Sequence, residues 1–144
     1  MSKIMEMDVV FNDLGCLKKA CEQLEVPFIA HPEGKTVRMA GYGDTSFTAH
    51  LGIHKQAFET RFGLSTYGDL GFRQNKNGSF KLIADDMLVK RPEFNEKFLD
   101  PFSQAYSEQK HCAEMYQQGW QLASRSVSEQ GDVNLQFEEM SAGF

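Results

Sequence analysis

The beginning of the chain shows a strand pattern followed by a helix pattern. Residues 4–11, "IMEMDVVF", start with alternating apolar and polar side chains, which predicts a half-buried strand. Asn12 or Asp13 can then cap a helix by accepting a backbone N–H, and Pro27, which has no N–H, requires that helix to end before it. The apolar face of this helix is formed by Leu14, Leu17, Cys21 and Leu24, at spacings of 3, 4 and 3 residues.

Three short strands are predicted next. They are "PFIAH" (27–31), "TVRMAGY" (36–42) and "SFTAHLGIH" (46–54), separated by turn residues. The third is expected to be continuous because apolar side chains occupy every second position from its second residue onward. For residues 55–69 the pattern leaves a short helix and a strand with a loop as alternatives.

The segment "YGDLGFRQNKNGSFKLIADD" (67–86) predicts a β-hairpin. Its connection, Lys-Asn-Gly, ends in a glycine that tolerates a left-handed backbone conformation. This turn sets Phe72 opposite Leu82 and gathers the apolar residues of both strands on one face, whereas a loop one residue longer would split them. The same register sets Asp69 opposite Asp85 on the other face.

A helix is predicted over residues 101–118. Asp100 is expected to cap it, with Pro101 at the first helical position, where a missing N–H costs nothing. Phe94 and Phe98 are then expected on a separate helical turn before a bend. Gly119 is expected to end the helix in a left-handed conformation.

A second hairpin is predicted at the end of the chain. The strands "QLASRSVS" and "DVNLQFEEM" are joined by a turn in which Gly131 takes the left-handed position. In the expected register Val127 faces Val133 and Ala123 faces Phe137.

These elements predict one α+β domain over residues 1–144. We expect a two-layer architecture in which an antiparallel sheet of five to eight strands carries the two main helices on one face, since each helix has a single apolar stripe. The apolar sides of both hairpins are expected to share one core, which includes Phe72, Val133, Leu135 and Phe137.

Composition and charge narrow the function classes. A chain of 144 residues with 41% hydrophobic residues can bury a core without disulfides. A net charge of −5 with scattered Lys and Arg makes nucleic-acid binding an unlikely function. Three cysteines are typical of free thiols in a reducing compartment, and no apolar run reaches the length of about 20 residues that spans a bilayer. Without a signal-peptide pattern at its start, the chain is expected to be soluble and cytoplasmic.

Asp69, Asp85 and Asp86 are the candidate metal ligands. Carboxylates suit Mg²⁺ or Ca²⁺, and one carboxylate of a close pair can act as an acid. Like charges directly opposite on a sheet are destabilising, so the pair requires splayed strands, a neutralising side chain or a cation. We expect solvated or salt-bridged carboxylates with Arg73 and Lys81 as counter-charges, and metal binding as the alternative.

Tyr42, His50 and Arg73 are the candidate binding residues. His50 and His54 on one strand would lie about 13 Å apart, which is too far for one metal ion. "MAGYGDTS" lacks the spacing and the Lys-Ser/Thr ending of a phosphate loop. No catalytic residue and no cofactor are predicted.

Five segments together resemble a known family. They are "DVVFNDLGCLKKACEQLEV", "VRMAGYGDTSFTAHLGI", "DLGFRQNKNGSFKLIADD", "FLDPFSQAY" and "QQGWQLASRSVSEQGDVNLQFEE", in this order. They resemble the family known as hypothetical chloroplast reading frame thirty-five, small uncharacterised proteins of cyanobacterial and plastid genomes and sometimes of phages. The resemblance covers residues 5–139 and implies an α+β layout, but no activity, cofactor or catalytic residue.

Three functions remain open. The favoured one is a non-enzymatic binding or regulatory protein that contacts another protein, in the cytoplasm, the plastid stroma or a phage-infected cell. The second is a small metal-dependent enzyme or ligand binder at the Asp69 and Asp85 end of the hairpin. The third is a single-stranded RNA binder that stacks bases on Tyr42, Phe47 and Phe72. The sequence does not define an oligomeric state.

Overall fold

A computed structural model describes residues 3–141, which form two compact units. We call residues 3–106 the N-terminal unit and residues 107–141 the C-terminal unit. The fold is α+β with antiparallel sheets, as predicted. The single-domain prediction for residues 1–144 stays a prediction, and residues 1–2 and 142–144 lie outside the described residues.

The N-terminal unit contains six strands and most of the helices. A helix in π geometry, Asn95–Leu99, leads into the long helix α4 (Asp100–Gln117), which continues into the C-terminal unit. The other elements, in chain order, are β1 (Ile4–Asp8), α1 (Leu14–Gln23), β2 (Val37–Ala40), β3 (Ser46–Ala49), β4 (Leu51–Ile53), α2 (Lys55–Phe62), β5 (Leu70–Gln74), β6 (Phe80–Asp85) and the helical turn α3 (Asp86–Val89).

Local sequence signals set the ends of the first two helices. Asp13 caps α1 by accepting the N–H of Cys16 at 3.1 Å, and α1 ends before Pro27, as predicted. Helix α2 lies in the segment that the sequence left open. It ends at Gly63, whose φ of 68° is a left-handed conformation that glycine adopts without strain.

The main sheet has four antiparallel strands in the order β1-β6-β5-β4. Phe72 pairs with Leu82, as predicted, and Phe72 is fully buried. The last paired residues of β5 and β6 are Gly71 and Ile83. Asp69 and Asp85, which were predicted to face each other, therefore lie outside the paired part of the two strands.

Both faces of this sheet are covered. On one face Phe72 stacks on Phe102 of α4, with ring centroids 5.2 Å apart. On the other face lies the two-stranded sheet β2–β3, and a Cβ at Gly71 would be 2.6 Å from that of Ala49, so only glycine allows this approach. The fully buried large aromatic side chains of the unit are Phe11, Phe58, Phe72, Phe80, Phe94, Phe98 and Phe102.

Two of the predicted strands differ in the structure. "PFIAH" contributes only a bridge between Ile29 and Gly52, and "SFTAHLGIH" breaks at His50 into β3 and β4, which belong to different sheets. The strands of residues 3–141 therefore form three sheets and not one of five to eight strands. Alternation continues through His50 because β3 buries Phe47 and Ala49 and β4 buries Leu51 and Ile53, and alternation alone does not reveal a change of partner strand.

The predicted helix start at Asp100 was also wrong. Asp100 lies inside a continuous helical stretch, preceded directly by the π-helical segment. This wider turn lies next to Pro101, which has no N–H to donate to the preceding turn.

The C-terminal unit consists of the end of α4 and a hairpin of β7 (Trp120–Val127) and β8 (Val133–Glu139). Gly119 and Gly131 have φ values of 92° and 87°, as their predicted left-handed roles require. Val127 pairs with Val133, as predicted, but Leu122 pairs with Phe137 because β7 bulges between Leu122 and Ser124. The predicted pairing of Ala123 with Phe137 was therefore wrong.

The bulge has a clear sequence cause. Leu122 and Val127 lie five positions apart, and an odd spacing in a regular strand points two side chains to opposite faces. The extra residue places both on the face of Val133 and Phe137. That face is half-buried, and no apolar side chain of residues 107–141 is fully buried, so the predicted burial of Val133, Leu135 and Phe137 in a core was wrong.

Candidate functional site

Asp69 connects three elements at the open end of the first hairpin. Its Oδ2 accepts the N–H of Ala40 at 2.9 Å, and its Oδ1 accepts the N–H of Lys55 at 2.8 Å. Lys55 begins α2, so the carboxylate also lies at the positive end of that helix. His54 Nδ1 is 3.5 Å from Asp69 Oδ2.

Asp85 has a similar role one strand away. Its Oδ1 accepts the N–H of Met87 at 3.0 Å and caps α3, while its Oδ2 accepts the N–H of Tyr67 at 3.1 Å. The carboxylate therefore holds the loop before β5 against the end of β6.

Asp86 binds the start of β1. It accepts the N–H of Lys3 at 2.9 Å and lies 3.6 Å from the ammonium of Lys90. The backbone donor of Lys3 lowers the pKa of Asp86 most, the charge of Lys90 adds to this, and burial opposes it.

The carboxylates were expected to be solvated or salt-bridged: the solvated state is wrong for all three, whereas Asp86 does pair with Lys90. Asp69, Asp85 and Asp86 are only 7%, 4% and 4% exposed, respectively. The expected counter-charges are engaged elsewhere, since Arg73 and Lys81 both pair with Glu6. Backbone N–H groups bind all three carboxylates, in addition to Lys90 beside Asp86, because a buried carboxylate needs hydrogen-bond donors when water is excluded.

The metal-ligand hypothesis gains no geometric support. Within residues 3–141, no group of three or more His, Cys, Asp or Glu side chains is arranged to hold a metal ion. Asp69 and Asp85 each direct both oxygens at backbone N–H groups. Metal binding by Asp69, Asp85 and Asp86 remains a prediction.

A small cleft lies beside Asp85. It encloses about 190 Å³, which is below the roughly 300–1,000 Å³ of typical ligand sites. Lys55 and Arg91 contribute cations whose side chains have no ion-pair partner in the described part of the chain. The remaining lining residues are Glu59, Ser65, Thr66, Tyr67, Asp85, Met87 and Leu88.

The structure separates the three predicted binding residues into two places. Tyr42 is exposed in the turn between β2 and β3 and contacts the ring of Tyr67 at 5.3 Å. His50 and Arg73 lie together elsewhere: His50 Nδ1 accepts the N–H of Gln74 at 2.9 Å. Burial lowers the pKa of His50, and the charge of Arg73 lowers it further. Sequence reasoning missed Tyr67 and the cleft because residues 55–69 had no assigned structure.

The cysteines do not form a reactive site. No disulfide joins Cys16, Cys21 or Cys112, and Cys16 and Cys21 are buried on α1. Burial, with a contribution from Glu22, raises the pKa of Cys21 to about 12, so the nucleophilic thiolate is suppressed at neutral pH.

The C-terminal hairpin has an exposed apolar surface where the sequence analysis expected a buried one. We call the side of the hairpin that carries Trp120, Leu122, Val127, Val133, Leu135 and Phe137 the apolar face. Tyr116 of α4 and the β7 members of this face are 38% to 63% exposed.

Helix α4 covers the apolar face only in part. His111 contacts the ring of Phe137 at 5.3 Å, and Glu108 accepts two hydrogen bonds from the Arg125 guanidinium, both at 3.0 Å. The hydrogen bond with Glu108 raises the pKa of Arg125, so the guanidinium stays charged. The opposite side of the hairpin is polar, with cross-strand bonds such as Ser124 to Gln136.

Comparison with known proteins identifies a family but no activity. The family model described as "Protein of unknown function (DUF1257)" matches residues 20–136. No curated protein and no solved structure matches the chain. In residues 3–141, no helix has the length and apolar character required to cross a membrane.

Proposed function

The chain belongs to the DUF1257 family of proteins of unknown function, and from this premise we propose that it is a small non-enzymatic binding or regulatory protein that contacts another protein. The observation that carries this proposal is the partly uncovered apolar face of the C-terminal hairpin. Water remains in contact with Trp120, Leu122 and Val127, which are 38%, 43% and 52% exposed.

Two physical arguments support the apolar face as a binding site for another protein. A two-stranded hairpin is marginally stable alone, and here no apolar side chain of residues 107–141 is fully buried. Clustered exposed aromatic and aliphatic side chains with a polar rim are typical of protein interaction sites. The polar side of the same hairpin has satisfied cross-strand hydrogen bonds and offers no comparable surface.

A charge placed on either side of the hairpin tests this proposal. The tagged full chain retrieves its partner from an extract of the source cells, and the purified partner is then titrated against variants. Leu122→Glu is expected to weaken binding at least about tenfold, since it puts a charge into a desolvated contact. Ser126→Glu, on the polar side, is the matched control and should leave the affinity within about twofold. Equal binding by both variants would exclude the apolar face.

A second candidate is ligand binding at the cleft beside Asp85. The supporting observation is the presence of two cations, Lys55 and Arg91, that have no ion-pair partner among the described residues and lie next to three hydroxyl side chains. The melting temperature should then rise with a small carboxylate or phosphate ligand, because a ligand specific to the native state adds RT ln(1 + [L]/Kd) of stability. Mg²⁺, Ca²⁺ and Zn²⁺ in the same experiment test the metal alternative. An Arg91→Gln variant that responds like the wild type would count against the cleft.

RNA stacking has less support. Of its three predicted aromatic residues, Phe47 and Phe72 are buried, and only Tyr42 is exposed. We further propose that the family includes the plastid and cyanobacterial reading-frame proteins that the sequence resembles, and that the protein works in the cytoplasm, the plastid stroma or a phage-infected cell.

A further inference from the structure

Strand β8 has an outer edge that no other strand of residues 3–141 pairs with. Met140 donates its N–H to the carbonyl of Gly119 at 2.8 Å, and Ser128 donates to the carbonyl of Asp132 at 2.8 Å. The direction of the backbone N–H and C=O groups alternates along a strand, so these groups point towards β7 at the even-numbered residues of β8. The groups that point outward are therefore the N–H and C=O of Val133, Leu135, Phe137 and Glu139.

This edge has little of the usual protection against pairing. Natural proteins shield edge strands with charged side chains, especially Lys, or with Pro, a bulge or a covering element. The bulge of this hairpin is on β7, and the seven residues of β8 include neither Lys nor Pro, so its charges are limited to Glu138 and Glu139 at one end. An edge of this kind is a ready template for another strand.

We propose that two copies of this chain associate by antiparallel pairing of β8 with β8 about a twofold axis at Gln136. Leu135 of one copy then forms a hydrogen-bonded pair with Phe137 of the other, and Val133 pairs with Glu139. The two hairpins become one four-stranded sheet with a continuous apolar face, which exceeds the size at which a hairpin is marginal.

Like-charge repulsion and the length of the strand favour this register over its neighbours. With the axis at Gln136 the strand pairs with itself over its full length, and Glu138 lies opposite Asn134, so no like charges are directly opposed. An axis at Leu135 would set Glu138 opposite Asp132, which is repulsive. An axis at Phe137 would pair Val133 with Ser141, which lies outside the strand.

This inference concerns the backbone edge of β8 and does not depend on the side-chain contacts proposed above, so either can fail while the other holds. In the expected dimer the two Gln136 residues form a non-hydrogen-bonded pair, with Cα atoms about 4.5 Å apart. This spacing lies within the range for a disulfide bond. The two Asn134 residues would be about 13 Å apart along the strands.

Cysteine cross-linking tests the register directly. In the full chain with Cys112→Ser, Gln136→Cys is expected to form a covalent dimer under mild oxidation on a non-reducing gel. Asn134→Cys, the matched control on the same side of the strand, is expected to remain monomeric. Equal cross-linking of both variants, or none for Gln136→Cys, would overturn the proposed pairing.

Sedimentation equilibrium tests the association without a covalent bond. The wild type is expected to form dimers, Asn134→Glu to weaken dimerisation about tenfold by opposing Glu138, and Asn134→Lys to strengthen it. Asn134 is exposed and its neighbour on β7 is the uncharged Ser126, so neither change should disturb the hairpin. A wild type that is monomeric at all accessible concentrations, or charge variants that shift dimerisation in the same direction, would refute the proposal.

Discussion

The two hairpins of this protein share a local design but differ in what surrounds them. Each has a glycine in the left-handed position of its turn, Gly78 and Gly131, and each gathers its apolar side chains on one face. In the first, Phe72 is completely buried, because its sheet has four strands and is covered on both faces. In the second, Phe137 is only half-buried, because the sheet has two strands and one partly covering helix. The amphipathic pattern of a hairpin therefore predicts which side is apolar, and the elements packed around the hairpin determine how much of that side is buried.

The acidic residues differ in the same way. Asp69 and Asp85 are buried and bind backbone N–H groups, so they help to hold the N-terminal unit together. Glu138 and Glu139 are exposed on β8 and shape its surface charge. The same side-chain chemistry serves as internal support in one unit and as a solvated surface in the other.

The largest expected contrast is between the two phenylalanines. Phe72→Ala should cost about 3–5 kcal/mol of unfolding free energy, since it leaves a cavity in a closed core. Phe137→Ala should cost about 1 kcal/mol, because water already reaches much of that ring. Chemical denaturation of both variants measures the difference, and a cost below about 1 kcal/mol for Phe72→Ala would contradict the assigned face.

The next contrast concerns the carboxylates. Asp85→Asn should cost about 1–3 kcal/mol, because one of its two buried acceptors becomes an amide nitrogen that faces the N–H of Tyr67 or Met87. Asp132→Asn, in the exposed turn of the second hairpin, is the control and should change stability by less than about 0.5 kcal/mol. Similar costs in thermal or chemical unfolding would mean that Asp85 has no special structural role.

Loss of the ion pair between Arg125 and Glu108 should have a smaller effect on stability, limited to the C-terminal unit. Arg125→Met removes the paired donors of Glu108 and should speed hydrogen exchange of the backbone amides of β7 and β8 about tenfold, on the order of 1.4 kcal/mol. Amides of β5 and β6 should keep their exchange rates. Arg125→Lys keeps the charge but loses the bidentate contact, so its exchange rates should lie between those of the wild type and Arg125→Met. Uniform acceleration across both units would show that their stabilities are coupled.

The smallest predicted effect is a pH dependence within the N-terminal unit. The pKa of His50 is lowered from 6.5 in the folded state, so the unfolded chain takes up this proton more readily. Stability should therefore decline as the pH falls below 6.5 towards the folded pKa. His50→Asn keeps an acceptor for Gln74 but cannot titrate, and its melting temperature should change less between pH 7 and pH 5. A pH profile identical to the wild type would mean that His50 does not contribute.

Many features of the fold could be predicted from the sequence because they depend on interactions between neighbouring residues. The cap at Asp13, the left-handed stops at Gly119 and Gly131 and the register of Phe72 with Leu82 each depend on residues close together in the chain. Steric limits on φ, helix-end hydrogen bonding and the two-residue period of a strand determine such features within a few positions. The α+β class followed from the same signals.

Long-range contacts decided the rest, because a local pattern does not identify its partner. Alternation through His50 gave no sign that β3 and β4 join different sheets. The carboxylate of Asp69 was expected to be solvated or paired with Arg73 and Lys81, but the backbone N–H groups of Ala40 and Lys55 reach it from other segments. The amphipathic pattern of β8 predicted its apolar side, whereas only the tertiary structure left its outer edge unpaired, since burial and hydrogen bonding depend on every element that packs nearby.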